Sequence, residues 1–577
     1  MVKISKNLHW IDWSILVIYL ILIVGLGIFV WWIQKKKKET NSTKSIFTGG
    51  GKNPIIVVGL SIWATITSSL FFVNTAGEAA TTNWMWTGAN ISLICITPFI
   101  AMFVIPFYRR IKETTAYAYL QKRFNYAVRA ISSLSFIIFM IFRSAIVLFV
   151  PIVAITTIVD VDPYVMVVIV GLVVAVLTAF GGFKAVIWAD ATQGVILLFG
   201  IASVLISALV LTNYSSDTLQ YQDILTRDSW KVNLAQGGIS LLFIYNIINS
   251  MYGFMASQDV TQRYKGTRNI SQIRKTLYIS SALGIVTVLL FFGAGSALAT
   301  YYSSQPETGV KMLLEGKTAV QALGLQKSGF MITFVNSVLG VGFTGVILAS
   351  IFAASQSTIS SGLSALSNSI VIDFVVVFNK KISEKKLALI SKLLVLIFGG
   401  FAIAFSCLLI ATKQNDLFNY FTGIIGLLNA PTVAVFVLGL YSKRTNSIGV
   451  LIAMLVAMII STPLWVLSQK FIPESHKITF SGIWLTTLSF FTTLVVGFIV
   501  SKLTNKYCKK YQINEKNLVN RTMLTRTAEF KQLTKLESEI GKFESWVKKG
   551  LITKEEFQKV TNKIEELEKI VDLQTID

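Results

Sequence analysis

An arginine, an aspartate and two runs of hydroxyl side chains stand in stretches of this chain that are otherwise apolar enough to lie in hydrocarbon. Arg143 is central in Phe136–Val150, and Asp190 closes the run Gly181-Gly182-Phe183-Lys184-Ala185-Val186-Ile187-Trp188-Ala189-Asp190. Polar groups inside a bilayer cost a few kcal/mol each, so they face a cavity or a partner. Arginine cannot escape by losing its proton. Arg143 therefore needs either an acidic side chain, with Glu78 and Asp190 the candidates, or the carboxylate of a ligand, which its planar fork can grip through two bonds. Asp190 must be paired with a Lys or Arg, protonated, or coordinating a cation.

In the first hydroxyl run, Ser61, Thr65, Thr67, Ser68 and Ser69 precede Phe71, Phe72, Asn74 and Gly77. Such a cluster permits a helix to break at mid-membrane, because side-chain oxygens satisfy freed backbone groups. Broken helices expose carbonyls that hold sodium and dipole ends that hold substrate. In the second run, Ala354, Ser357 and Thr358 fall at i, i+3, i+4, and Ser357, Ser360 and Ser361 repeat that spacing. On a helix these form two oxygen-bearing faces sharing Ser357, about 4–6 Å apart along the axis. Neutral oxygens suit a monovalent hard cation, where a divalent ion would want carboxylates. Packing of small residues between helices is the alternative reading of both runs.

The elements that position these groups are membrane spans. Of 577 residues, 53% are hydrophobic and only 14% charged, with a mean hydropathy of +0.65, too little charge to cover a soluble surface. Apolar runs of the length that crosses a bilayer fall near 12–33, 54–78, 84–108, 127–158, 163–180, 184–212, 236–258, 276–300, 330–376, 386–412, 417–440, 446–468 and 479–502, thirteen in all. The ninth is long enough for a helix plus an amphipathic approach. The net charge of +23 does not indicate nucleic acid, because Lys and Arg gather in alternate loops. They include Lys35–Lys38, Arg109, Arg110, Lys122, Arg123, Lys184, Arg263, Lys265, Lys380, Lys381, Lys443 and Arg444. That alternation places the N-terminus outside and the C-terminus inside.

The tail is different material. Leu533, Leu536, Ile540, Phe543 and Trp546 form one helical stripe, Gly550 ends that helix, and Thr553 with Glu556 caps a second carrying Phe557, Val560, Ile564, Leu567 and Ile570. The spacing predicts a cytoplasmic helical hairpin. Four units follow: an extra N-terminal span (1–34), a core (35–470), a last span (471–505) and the tail (506–577).

Enzyme chemistry finds little footing. Two histidines and three cysteines offer no metal or disulfide spacing, and Thr48-Gly49-Gly50-Gly51-Lys52 lacks the spacing of a phosphate-binding loop. No acidic ring or repeated filter suggests a channel. A membrane sensor using the same fold stays open as an alternative.

Gly181–Gln193, Gln262-Arg263-Tyr264 and Ala353-Ala354-x-x-Ser357-Thr358-x-Ser360-Ser361 resemble motifs of the sodium:solute symporter family, and Phe47–Asn53 resembles that family's link into its broken helix. The resemblance covers roughly residues 10–505. It implies an all-α membrane protein with the LeuT-type inverted repeat, five spans plus five, here the second to sixth and seventh to eleventh. It also implies a multi-pass plasma-membrane carrier, as monomer or weak oligomer, taking up a small polar solute with Na⁺ and no other cofactor.

By position, the resemblance gives one sodium the carbonyls of Ala64, Thr67 and Ala354 with the hydroxyls of Ser357 and Thr358. Thr358 stands where the family often has serine. A second sodium, held by some members, would meet Asp190, Ser357, Ser360 and Ser361. The segment around Arg143 resembles the family's bacterial sialic acid transporters, in which an arginine binds the substrate carboxylate. Ser68 agrees with that pocket, and Trp86 is counted in its lining. Ile66 and Phe71 stand where those transporters carry hydroxyls, and Asn90 where a glutamine is expected. Sialic acid is the leading substrate; another monocarboxylate, or a neutral sugar, polyol or amino acid, is the alternative.

Overall fold

The structure is a computed structural model. It describes residues 8–36, 47–51, 53–82, 84–110, 114–156, 161–212, 238–267, 269–305, 308, 318–323, 327–412, 417–469, 481–510 and 521–576. Among these residues every regular element is helical. The membrane helices are α1 (Trp10–Lys36), α2 (Ile55–Ile66), α3 (Ser69–Thr82), α4 (Ile91–Arg110), α6 (Tyr126–Thr156), α7 (Pro163–Leu211), α8 (Ile239–Ala256), α10 (Ile270–Ser303), α12 (Phe343–Phe378), α13 (Glu384–Ala411), α14 (Tyr420–Tyr441), α15 (Ser447–Leu467) and α16 (Gly482–Asn505). The short helices α5 (Tyr117–Arg123), α9 (Gln258–Tyr264) and α11 (Lys327–Ser337) lie between them.

Eleven of these helices are single candidate spans, and the pair α2–α3, bent by 66°, makes a twelfth. At 49 residues, α7 would be about 74 Å long if straight, far more than one crossing. It breaks at Gly182, whose φ of 67° and ψ of 172° only glycine adopts without strain, and so counts twice. Thirteen crossings result, as the apolar runs predict. The ninth run divides into α11 and α12, an approach and a span. Large apolar side chains such as Ile18, Ile21, Val210 and Ile459 stay exposed on the outer faces, where a soluble protein would bury them.

Two spans are interrupted. Between α2 and α3, Thr67 takes an extended backbone with φ −82° and ψ 95°. Between α8 and α9, Ser257 does the same with φ −76° and ψ 120°. In the two five-helix halves that the resemblance implies, each break falls in the first span of a half.

The extra helix α1 is built into the bundle rather than appended. Its buried Asp12 accepts the amides of Gly342 and Gly345 at 2.9 and 2.8 Å, at the start of α12. That satisfies two orphan donors and sets a negative charge at a positive helix end. A β-carbon on Gly345 would come within 2.7 Å of the Asp12 backbone, so the close approach demands glycine there.

The tail forms the expected hairpin, α17 (Ala528–Lys548) and α18 (Lys554–Ile576). The Thr553–Glu556 capping box is present, with bonds of 2.8 and 3.1 Å, and Gly550 turns the chain at φ 68°. The hairpin is not free-standing. Phe530 and Leu533 are buried in the core cluster that also holds α4, α5 and α14 residues, and Phe530 packs on Phe107 with ring centroids 5.4 Å apart. Met523 donates its amide to the Leu440 carbonyl at 2.8 Å, and Arg110 meets Glu537 at 2.6 Å. Burial pushes the Glu537 carboxyl above its ordinary range, with Arg110 pulling it back only in part. A neutral amide there is thus tolerable, whereas the apolar contact is not replaceable. Phe530→Ala is expected to speed amide hydrogen exchange across α17 by about tenfold or more, with Glu537→Gln staying near the parent rate. Equal protection in both variants would show that the apolar seat does not hold the tail.

Candidate functional site

The site begins with what the break in α2–α3 leaves behind. An uninterrupted helix would give the carbonyls of Ala64 and Thr65 to amides four residues on. Instead, the Ser357 hydroxyl donates to the Ala64 carbonyl at 3.2 Å, and Thr358 donates to the Thr65 carbonyl at 3.3 Å. Both hydroxyls also reach the Ala354 carbonyl, at 3.2 and 3.1 Å. Ala64, Ala354, Ser357 and Thr358 thus form one network of uncharged oxygens across α2 and α12. Thr67 lies at the break itself, and its amide returns to the Trp63 carbonyl at 3.0 Å. The Trp63 indole anchors α2 to α10 through Thr287 at 2.7 Å.

The second predicted group also assembles. The Asp190 carboxylate accepts from Ser361 at 2.8 Å and from Ser61 at 3.0 Å, with Ser360 at 3.3 Å on its other oxygen. Ser357 links the groups, its hydroxyl on the first and its carbonyl accepting from Ser360 at 3.3 Å. Asp190 is paired, but not with an interfacial cation: Arg263 of α9 reaches it at 2.6 Å, and both side chains are fully buried. The same guanidinium donates to Ser361 at 2.6 Å, Thr65 at 2.7 Å and Ser61 at 2.9 Å. Arg263 therefore does not belong with the loop cations among which sequence places it. Its neighbours near the span end hide that it points inward.

Arg143 is 8% exposed. Of its two expected acidic partners, Glu78 pairs with Lys327 at 2.8 Å and Asp190 with Arg263. The partner is Asp259 of α9, at 2.9 Å, and Arg143 also donates to the Thr65 carbonyl at 2.8 Å. The other Asp259 oxygen accepts from the Ser257 hydroxyl and, at 3.0 Å, from the Val260 amide. Sequence reasoning missed Asp259, although its i, i+4 spacing from Arg263 of the Gln-Arg-Tyr motif was a signal that could have found it. Nothing in the spacing marks the helix that carries them as core.

The remaining lining residues scatter in role. The Ser68 hydroxyl accepts the Phe71 amide at 3.4 Å and so caps α3. Phe71 packs on Phe291 at 5.3 Å, and Ile66 is 40% exposed at the break. Trp86 packs against the Met85, Leu241 and Tyr245 cluster. The Asn90 side chain lies outside the described residues. Among the described residues no three His, Cys, Asp or Glu stand together as a metal site, so the oxygens on offer suit an alkali ion better than a divalent one.

Thr65 joins both groups: its carbonyl serves Arg143 and Thr358, and its hydroxyl serves Arg263 and Ser361. Thr65→Val keeps the shape and removes the hydroxyl. It is expected to cost about 1.5–3 kcal/mol, the range for hydrogen bonds to charged groups, in denaturant unfolding of the purified protein. Thr65→Ser should recover most of the loss; equal loss in both would remove the hydroxyl from this account.

Comparison with known proteins gives concordant results. The model described as "Sodium:solute symporter family" matches residues 46–457. The sodium/sialic acid symporter of Proteus mirabilis is 30% identical over 458 residues, covering 78% of this chain and 88% of that protein. That of Aliivibrio fischeri is 29% identical over 518 residues, covering 89% and 97%. The human sodium-coupled monocarboxylate transporter 1 is 26% identical over 472 residues, covering 79% and 73%. A solved structure of a Na⁺-coupled sialic acid symporter in a substrate-bound, outward-open state superposes with a TM-score of 0.74 at 27% identity, covering 86% of this chain and 98% of that one.

Proposed function

Because the chain belongs to the sodium:solute symporter family, we propose that the solute it carries inward with Na⁺ is a carboxylate, and first of all sialic acid. The observation that carries this reading is the position of Arg143. It is a permanently charged fork in the middle of the bundle, against the freed carbonyl of the broken helix, where a bidentate carboxylate gains most from low dielectric. The two most similar relatives described above are sodium/sialic acid symporters, which supports the same choice. Ile66 and Phe71 make the lining less polar than a many-hydroxyl sugar acid would use, which favours a smaller monocarboxylate as the second reading.

In this mechanism Na⁺ from outside is taken by the Ala64, Thr67 and Ala354 carbonyls with the Ser357 and Thr358 hydroxyls. It ties α2 to α12 and shapes the broken helix. Substrate seats on Arg143, with Ser68, Ile66, Phe71, Trp86 and Asn90 as lining. The bundle then rocks inward around the site. A second Na⁺ at Asp190, Ser357, Ser360 and Ser361 would make the cycle electrogenic, with one net positive charge moved per carboxylate. Each ion entering down ~100 mV gains about 2.3 kcal/mol before its concentration term.

In proteoliposomes with an inward Na⁺ gradient, wild-type protein is expected to accumulate labelled sialic acid, and choline in place of Na⁺ should leave only leak. Arg143→Ala should abolish uptake while Na⁺ still raises thermal stability. Undiminished uptake by that variant would remove Arg143 as the anchor. Asp190→Asn is expected to lower the Na⁺ Hill coefficient of uptake toward one, and an unaltered coefficient would remove the second ion.

A further inference from the structure

The two buried ion pairs described above share a helix. Asp259 and Arg263 lie one turn apart on α9, a seven-residue segment. Each reaches into a different part of the site. The Asp259 carboxylate holds Arg143, where the substrate carboxylate is expected. The Arg263 guanidinium sits among Asp190, Ser361, Thr65 and Ser61, and the first two of these are expected to meet the second sodium. We propose that α9 carries stand-ins for both transported species, a carboxylate for the substrate and a guanidinium for the ion. Loading the site then means withdrawing this helix. The inference rests on the reading of Arg143 and Asp190 given above and adds to it what occupies them when nothing is bound.

The physical need is plain. Arg143 cannot shed its charge, and a carboxylate such as Asp190 left alone in the interior would be strongly destabilising. A symporter that completes its cycle must change state once without cargo, with both groups present. The quartet Arg143, Asp259, Asp190 and Arg263 carries two positive and two negative charges and is neutral as it stands. When a substrate carboxylate and Na⁺ take over Arg143 and Asp190, Asp259 and Arg263 are released together. Their i, i+4 spacing, acid N-terminal to base, is the order in which such residues pair with each other on a helix. No charge is stranded at either stage. Both cargo species compete with side chains of one rigid segment, so displacement of one stand-in favours displacement of the other. That coupling is what symport requires.

A purely structural role for the pairs predicts a different pattern of failure, which sets the experiment. Net uptake into empty proteoliposomes requires return of the unloaded carrier; counterflow exchange of labelled for unlabelled sialic acid does not. For Asp259→Asn, the ratio of net uptake to exchange is expected to fall about tenfold or more below that of wild type. The Kd for sialic acid in saturating Na⁺ should fall about tenfold, a change of about 1.4 kcal/mol. Asp259→Glu, which restores the carboxylate, should recover net uptake. For Arg263→Gln, Na⁺ titration by thermal shift without substrate should show half-saturation at a concentration about threefold lower or less, since the resident cation is gone. Parallel loss of exchange and net uptake in a monodisperse Asp259→Asn protein, or an unchanged Kd, overturns the role of Asp259. An unchanged or weakened Na⁺ titration overturns that of Arg263. If wild-type protein itself takes up no sialic acid, the substrate assignment and with it the role of Asp259 fail, and the substrate-free Na⁺ titration still decides the role of Arg263.

Discussion

A helix cannot be interrupted inside a membrane without finding new partners for the backbone it frees. That constraint organises everything around α2 and α3. The carbonyls of Ala64 and Thr65 have lost their helical amides and have no bulk water to turn to. They are met by Ser357, Thr358 and Arg143, which is why a hydroxyl-bearing face of α12 packs against the break. The arrangement that satisfies the backbone also gathers several uncharged oxygens at short range, those of Ala64, Ala354, Ser357 and Thr358.

The charged residues near the break follow a second logic. Buried ion pairs contribute little net stability once desolvation is counted, but removing one member strands the other. Arg143 with Asp259 and Arg263 with Asp190 are therefore better read as constraints on which arrangements are allowed than as glue. Their shared attachment to Thr65 and to α9 means that neither pair can be rearranged alone. The extended backbone at Ser257 sets α9 off from the span before it, so the two breaks differ in what they present: one exposes carbonyls, the other turns a short helix with two charged side chains into the core.

Much of this was legible in the residues, and the parts that were not have identifiable causes. Serine and threonine at i, i+3 and i+4 on α12 marked an oxygen-bearing face because helical periodicity is local. The same locality exposed the tail hairpin, its capping box and the Gly550 turn. Partner choice is not local. Asp259 is 116 positions from Arg143, and both acids that the sequence offers it, Glu78 and Asp190, are held by other cations, Lys327 and Arg263. Arg263 misled for a subtler reason. Counting Lys and Arg near span ends serves to orient a chain, yet the same count cannot tell an arginine in water from one turned inward. The break at Ser257 carries neither a hydroxyl cluster nor a proline, so no residue type announced it. Docking of the tail depends on Phe107 and Leu440, far away in sequence and unremarkable where they stand.

The Asp12 cap on α12 bears on how the chain is made. Asp12 emerges from the ribosome 330 residues before its first amide partner, Gly342. At about 5–20 residues per second, that is a wait of roughly 15–65 s. Through that interval the Asp12 carboxylate waits without the two amides that α12 later brings to it. The start of α12 is thus fastened by a residue made long before it, and this part of the assembly closes late.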